Sequence, residues 1–203
     1  MTRINNNYHL LSEEPRPVRT VQNKNNIGKV MFLTALAKPR YGEGGVVTFD
    51  GKIVTWAFVE EVAAKKNSRN RDKGTIELNT MKVTRNVMRE FICEKVIPAI
   101  QDKWPDEDEG RTIYIQQDNA KPHLLPHDEG FRKVVEETDL DIEFIQQPPN
   151  NPDMNVLDLC FFRSLQTLTE TRAPTTIKEL IEGVLEEYHN YDVDKLARSF
   201  LIL

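Results

Sequence analysis

The sequence predicts an α/β domain with parallel strands in its later half. Two observations carry this prediction. Strand candidates cluster in the first third of the chain, and beyond residue 84 β-branched or apolar runs alternate with segments of helical spacing. Because parallel strands need a crossover connection between them, this order favours one sheet covered by helices.

Three strands are predicted in the first third of the chain. Residues 29–37 form a continuous apolar run stopped by Pro39, residues 46–49 lie in a glycine-rich stretch suited to a hairpin, and residues 53–59 are a further candidate. Residues 1–28 are rich in Asn, Pro and Glu, and we expect a weakly ordered segment there, before a domain that spans 29–203.

The rest of the chain alternates helices and strands. A helix begins after Thr84, a possible N-cap, and Pro98 should kink or end it. Strands are predicted at 112–117 and 141–147 with a helix at 129–138 between them. Helices follow at 155–170, 176–188 and 193–203, the second opened by Thr175 or Thr176.

The composition is that of an ordinary globular protein, with 39% hydrophobic and 29% charged residues. No apolar run approaches the roughly 20 residues of a membrane span, and no secretory signal is evident. Cys93 and Cys160 are too few for a disulfide framework, which favours a reducing compartment and core positions. We therefore expect an intracellular protein.

The net charge of −5 argues against a globally basic nucleic-acid binder, yet one local basic run exists at residues 65–73. A single acid, Asp72, interrupts its basic residues. These are Lys65, Lys66, Arg69, Arg71 and Lys73. A solvated loop and a contact surface for phosphates both explain such a run.

Two acidic segments follow predicted strands. Asp118 comes directly after the strand at 112–117, where reactive groups of α/β sheets gather, although an Asp-Asn pair also suits a turn. Asp158 lies about one turn into a helix between apolar neighbours, so we expect a partly desolvated carboxylate. Stabilisation of the helix N-terminus is its alternative role. Asp153 is assigned a turn or N-cap role.

Paired carboxylates at adjacent strand ends suit a hard cation, Mg²⁺ or Mn²⁺, and a phosphodiester substrate. Two such ions usually need at least three acids, and the sequence offers two. A glycosidase also uses two carboxylates, but neither Trp56 nor Trp104 lies in the acidic segments to form a sugar platform.

The two acidic segments contain the motifs Asp118-Asn119-Ala120 with Pro122-His123, and Pro152-Asp153-Met154-Asn155-Val156-Leu157-Asp158. These motifs resemble those of mariner-type DNA transposases. Residues 29–33, 49–52, 68–71 and 74–75 are similar to the plant and oomycete branch, so the resemblance covers nearly the whole chain. The 39 residues between Asp118 and Asp158 match that branch.

The resemblance implies an RNase H-like mixed sheet flanked by helices, in the D-D-D class of transposases and integrases. Asp118 and Asp158 would be the second and third metal ligands, supported by Asn119, His123 and Asn155. It also implies two Mg²⁺ or Mn²⁺ ions, cleavage and transfer of DNA strands, transposon ends and target DNA as partners, a homodimer in the intact family, and action in the nucleus.

Two departures from the family pattern matter. The first strand, with its Asp-Glu-Lys-Trp-Phe motif, has no counterpart, and no aspartate precedes Asp50. We therefore expect little or no activity from this chain alone, and unpaired backbone edges with poorly covered Phe32 and Ile115. Asn151 stands where the family commonly has serine. A non-catalytic remnant that binds nucleic acid or protein is the alternative.

Overall fold

Short strands and helices alternate along the computed structural model, which describes residues 29–68, 71–108, 110–148, 151, 154–172, 174 and 176–201. The side chains of residues 160 and 168–172 are outside the description. The strands are β1 (Phe32–Leu36), β2 (Arg40–Tyr41), β3 (Val47–Phe49), β4 (Lys52–Ala57), β5 (Val59–Ala63), β6 (Ile76–Thr80), β7 (Ile113–Gln117) and β8 (Ile142–Gln146). The predicted mixed α/β class is confirmed.

Six α-helices are described: α1 (Arg85–Phe91), α2 (Ile97–Lys103), α3 (Glu129–Glu136), α4 (Phe162–Arg172), α5 (Ile177–His189) and α6 (Val193–Ser199). Two π-helical turns are also described. Ile92–Val96 connects α1 to α2, and Leu157–Phe161 leads into α4. Within the described ranges, no helix has the length and apolar character needed to cross a membrane.

Four strand pairs build the β structure. β1 pairs antiparallel with β4, and β7 pairs parallel with β8, as predicted for the later half of the chain. β2 and β3 form the expected small hairpin. Helix α3 supplies the crossover that a parallel pair requires between β7 and β8.

The strand predicted at 53–59 is divided in two. β4 ends before Phe58, a side chain only 1% exposed whose backbone bonds to Met31 and Met81, and β5 then pairs with β6. The hairpin of β5 and β6 was not predicted. Its strands carry Glu60, Glu61 and Glu77, and these acidic residues obscure the alternation of apolar and polar residues that indicates a strand.

The prediction that Pro98 ends the first helix is wrong, because helical structure continues past it to Lys103. Regular α-helical geometry is interrupted in the turn just before Pro98, at Ile92–Val96. Thr84 caps α1 as predicted, with its hydroxyl accepting from Val87 N–H. The π turn then closes with Ile97 N–H donating to the Ile92 carbonyl five residues back, and Pro98 falls in the first turn of α2. The proline thus lies where the π turn has already shifted the backbone hydrogen bonds away from the regular α-helical pattern.

Two apolar clusters lie on opposite faces of β1. Leu33 and Ala35 pack with the larger cluster, which contains Met88 of α1 and Ile92 and Val96 of the π turn that follows it. Phe32 and Leu36 pack with the smaller cluster, built by the last three helices. Alternate residues of a strand point to opposite faces, so β1 is a middle layer between two sets of helices.

Candidate functional site

Asp118 lies in a tight loop directly after β7. Its Oδ1 accepts from Ala120 N–H at 2.8 Å, which is the Asx-turn arrangement considered for the Asp-Asn pair. The His123 Nδ1 lies 2.8 Å from the same carboxylate oxygen and 2.8 Å from the Asp118 carbonyl. The Asp118 side chain is 51% exposed, so the carboxylate is held in place yet open to a ligand.

Glutamine and asparagine side chains fasten this loop to the sheet. Asn119 Nδ2 donates to the Gln147 carbonyl just beyond β8, and Gln117 and Gln146 both donate to the Leu124 carbonyl. Leu124 is fully buried. The loop that carries Asp118 is therefore anchored at both ends.

Asp158 lies in the π turn before α4 and is held by Asn155. The Asn155 Nδ2 donates to Asp158 Oδ2 at 2.8 Å, while Asn155 Oδ1 accepts from Leu157 N–H at 3.0 Å. The Asn155 carbonyl also accepts from the backbone N–H of Asp158 and Leu159. Asn155 thus caps this helical segment and orients the carboxylate three residues later.

The expectation of a partly desolvated Asp158 carboxylate is wrong. Its side chain is exposed, because the neighbouring Leu157 and Phe162 turn toward the smaller apolar cluster and the groove while the carboxylate stays at the rim. Burial therefore gives no reason to bind a cation here. Asp153 lies outside the described residues.

Both carboxylates border one groove, about 580 Å³ in volume, between β1 and β7. The Gln116 Nε2 donates to the Met154 carbonyl at 2.5 Å and so links the end of β7 to the segment that leads into the Asp158 turn. Each carboxylate has one oxygen in the bonds described above. Within the described ranges, no third Asp, Glu, His or Cys joins them into a metal-binding group.

The basic run lies at the tip of the β5–β6 hairpin. Lys65, Lys66, Arg71 and Lys73 are exposed there, whereas Arg69 falls outside the described residues. Arg71 forms an ion pair with Glu77 on β6, so its charge is partly neutralised. The acidic residues lie on the strands of the hairpin and the lysines at its tip. The hairpin is therefore negatively charged along its strands and positively charged at its end.

Several positioning residues were missed by sequence reasoning. Arg85, at the start of α1, donates to the backbone carbonyls of Lys121 and His123 and ties the Asp118 loop to that helix. Gln116 and Gln117 position the segments on either side of the groove. The Gln-Gln pairs that end both parallel strands were the available signal, since polar residues at the carboxyl end of a strand face a site.

The comparisons with known proteins give no assignment. No protein-family model and no curated protein matches this chain. Any function must therefore be argued from the residues and the geometry alone.

Proposed function

We propose that this chain is the larger part of an RNase H-like catalytic domain of a mariner-like transposase, in which Asp118 and Asp158 bind divalent cations. One observation carries the proposal. A carboxylate at the end of a parallel strand and a second carboxylate from the segment after the next strand border the same groove. Reactive groups of α/β sheets are commonly found at this position.

The donor set fits a hard cation in part. Two carboxylates, each with one oxygen outside the bonds given above for the described residues, suit Mg²⁺ or Mn²⁺, but two such ions usually need a third acid. When bound, the ions activate a water or a 3′ hydroxyl and stabilise the leaving oxygen of a phosphodiester. Asn155 and His123 orient the two carboxylates, and that orientation is what phosphoryl transfer depends on.

The test compares Asp158 with Asp153 in a protein completed with a family-like first strand, so that Mn²⁺-dependent strand cleavage exists to be lost. Asp158→Asn should abolish cleavage while circular dichroism shows an unchanged fold. Asp153→Asn, the matched control, keeps a side chain able to cap a helix and should preserve measurable cleavage. A folded, inactive Asp153 variant beside a fully active Asp158 variant would show that the ligand assignment is wrong.

A second candidate function is non-catalytic binding of nucleic acid. The exposed lysines at the hairpin tip favour it, because they lie together on one projecting element. Such a surface would contact phosphates without reading bases, and it would need no metal. DNA as a partner and the nucleus as the site of action belong to both proposals.

A further inference from the structure

The groove between β1 and β7 is bordered by two strand edges that have no strand partner among the residues the structure describes. In the β1–β4 ladder Phe58 N–H donates to the Met31 carbonyl, so odd-numbered residues of β1 bond to β4. Phe32 and Thr34 therefore turn their backbone groups away from β4. The described part of the chain supplies no backbone partner on that side.

The edge of β7 that faces the groove also has backbone groups that point away from its partner strand, β8. Ile113 N–H donates to the Asp141 carbonyl and the Gln117 carbonyl accepts from Gln147 N–H, so odd-numbered residues bond to β8. Tyr114 and Gln116 turn their N–H and C=O groups toward the groove. No strand within the described ranges pairs with that edge either.

Both faces of the groove are apolar. Met88, Ile92 and Val96 line it from the first helix, and Val156, Leu157 and Phe162 line it from the other side. These are the same two layers that cover β1. A strand inserted beside β1 would therefore bury the side chains on both of its faces. In a sheet with one solvated face, a strand buries the side chains on one face only.

The polar end of the groove favours a cationic flank on the occupant. Asp118 and Asp158 border it with exposed carboxylates, and each has an oxygen that is not engaged by the bonds given above. An occupant that ends in lysine there gains charge-assisted hydrogen bonds.

We propose that this groove is a docking site for an extended segment of a partner polypeptide. The occupant is about five residues long, matching β1 and β7, apolar on both faces, and flanked by a basic residue. It completes one sheet by bonding to both strand edges, which is recognition by strand addition. Strand addition rests on the two strand edges and the apolar faces of the groove and does not depend on metal, whereas the basic flank requires metal-free carboxylates at Asp118 and Asp158.

The test uses the 203-residue chain without divalent ions and an acetylated, amidated peptide, Lys-Lys-Val-Ile-Val-Phe-Val-Lys-Lys. We expect one peptide to bind per chain, with slowed hydrogen exchange at the amides of Phe32, Thr34, Tyr114 and Gln116. A control peptide methylated at two central backbone nitrogens keeps the apolar surface but loses two donors. It should bind roughly tenfold or more weakly.

Tyr114 offers a matched pair of protein variants, because its ring is 58% exposed and its N–H faces the groove. Tyr114→Pro removes that donor without touching the β7–β8 ladder, and proline is tolerated on strand edges. We expect roughly 3- to 10-fold weaker peptide binding. Tyr114→Ala keeps the donor and should change the affinity less than about twofold.

Three results would overturn the proposal. Equal binding of the methylated peptide would mean unspecific apolar contact. Protection of the four amides without peptide, at every protein concentration, would mean that a segment of this chain already fills the groove. Protection that grows with protein concentration would identify a second copy as the occupant. The exchange data come from the unmodified chain and stay informative even if Tyr114→Pro fails to fold.

Discussion

Asp128 combines two structural roles in one carboxylate that is 7% exposed. Its Oδ1 accepts from Phe131 N–H and caps α3, and both oxygens accept from the Arg89 guanidinium at 2.7 and 2.8 Å. Gly130 permits this pairing, since a Cβ there would lie 2.7 Å from the Arg89 Cδ. The pair joins α1 to α3, on either side of β7 in the sequence.

Replacing Asp128 separates these two roles. Asp128→Ala loses the cap and the ion pair, and the free energy of unfolding should fall by about 1–2 kcal/mol or more. Asp128→Asn keeps a capping oxygen and should cost less than the alanine variant. Urea unfolding at pH 7 measures both. Equal losses would mean that the cap contributes nothing.

The pH dependence has a definite sign. The Arg89 hydrogen bonds lower the pKa of Asp128 from its ordinary value, because they favour the ionised carboxylate. The stabilisation that the ionised Asp128 carboxylate gives to the folded state is therefore complete above the unfolded-state pKa of about 3.9. It is lost as the pH falls through the lower folded-state pKa. The stability difference between the wild-type chain and Asp128→Asn should shrink below about pH 4. A constant difference down to pH 2 would contradict the ion pair.

Tyr188 carries a buried hydroxyl with no hydrogen-bond partner among the described residues. Burial raises the pKa of this phenol above its ordinary value. The Tyr188 ring packs edge-on against the Phe161 ring, with 6.0 Å between the ring centroids. Tyr188→Phe keeps the ring contact and removes the unpaired hydroxyl, so the free energy of unfolding should rise by about 1 kcal/mol. Tyr188→Leu is the control that loses the ring contact and should destabilise. A destabilised phenylalanine variant would indicate a partner for the hydroxyl.

The β5–β6 hairpin is the element that decides between a solvated loop and a phosphate-binding surface. If its tip binds DNA, affinity should fall with salt at a log-log slope of about 0.9 per phosphate contact. Replacing Lys65, Lys66 and Lys73 with alanine should flatten that slope without changing the melting temperature. Arg71 is left in place because it pairs with Glu77.

The control for charge alone uses three exposed lysines away from the hairpin tip, Lys29, Lys82 and Lys133. Their alanine variant has the same net charge as the hairpin variant. Fluorescence anisotropy with duplexes of two unrelated sequences should show a loss for the hairpin variant only. Equal slopes in both variants would return the basic run to the role of a solvated loop.

At the scale of the whole molecule, the edges of β1 and β7, which have no strand partner in the described part of the chain, should limit stability. Phe32 and Ile115 are only partly buried, as expected for strands beside an open groove. Unpaired backbone edges and incomplete burial both lower the free energy of unfolding. We expect the 203-residue chain to melt below about 60 °C. A cooperative transition well above that temperature in differential scanning calorimetry would contradict this.

The sequence by itself determined most elements and the direction of the strands. The β-branched runs at β7 and β8, separated by a helix, predicted a parallel pair, because local periodicity and the need for a crossover are both written in the chain. Thr84 was predicted as a possible N-cap, and Thr175 or Thr176 was predicted to open a later helix, for the same local reason. In the structure Thr84 and Thr176 each accept a backbone N–H. The placement of Asp118 after β7 followed from the strand that precedes it.

Only the tertiary structure decided which surfaces stay open. Asp158 was expected to be desolvated from its apolar neighbours, but burial depends on where distant helices pack, and the carboxylate lies at the rim of a groove. The β5–β6 hairpin was missed because cross-strand pairing, not local alternation, holds its acidic strands together. Pro98 passes within a helix because a π turn precedes it. For Asp158 and for the β5–β6 hairpin, contacts between residues far apart in the sequence decide the outcome, and a local pattern does not contain them.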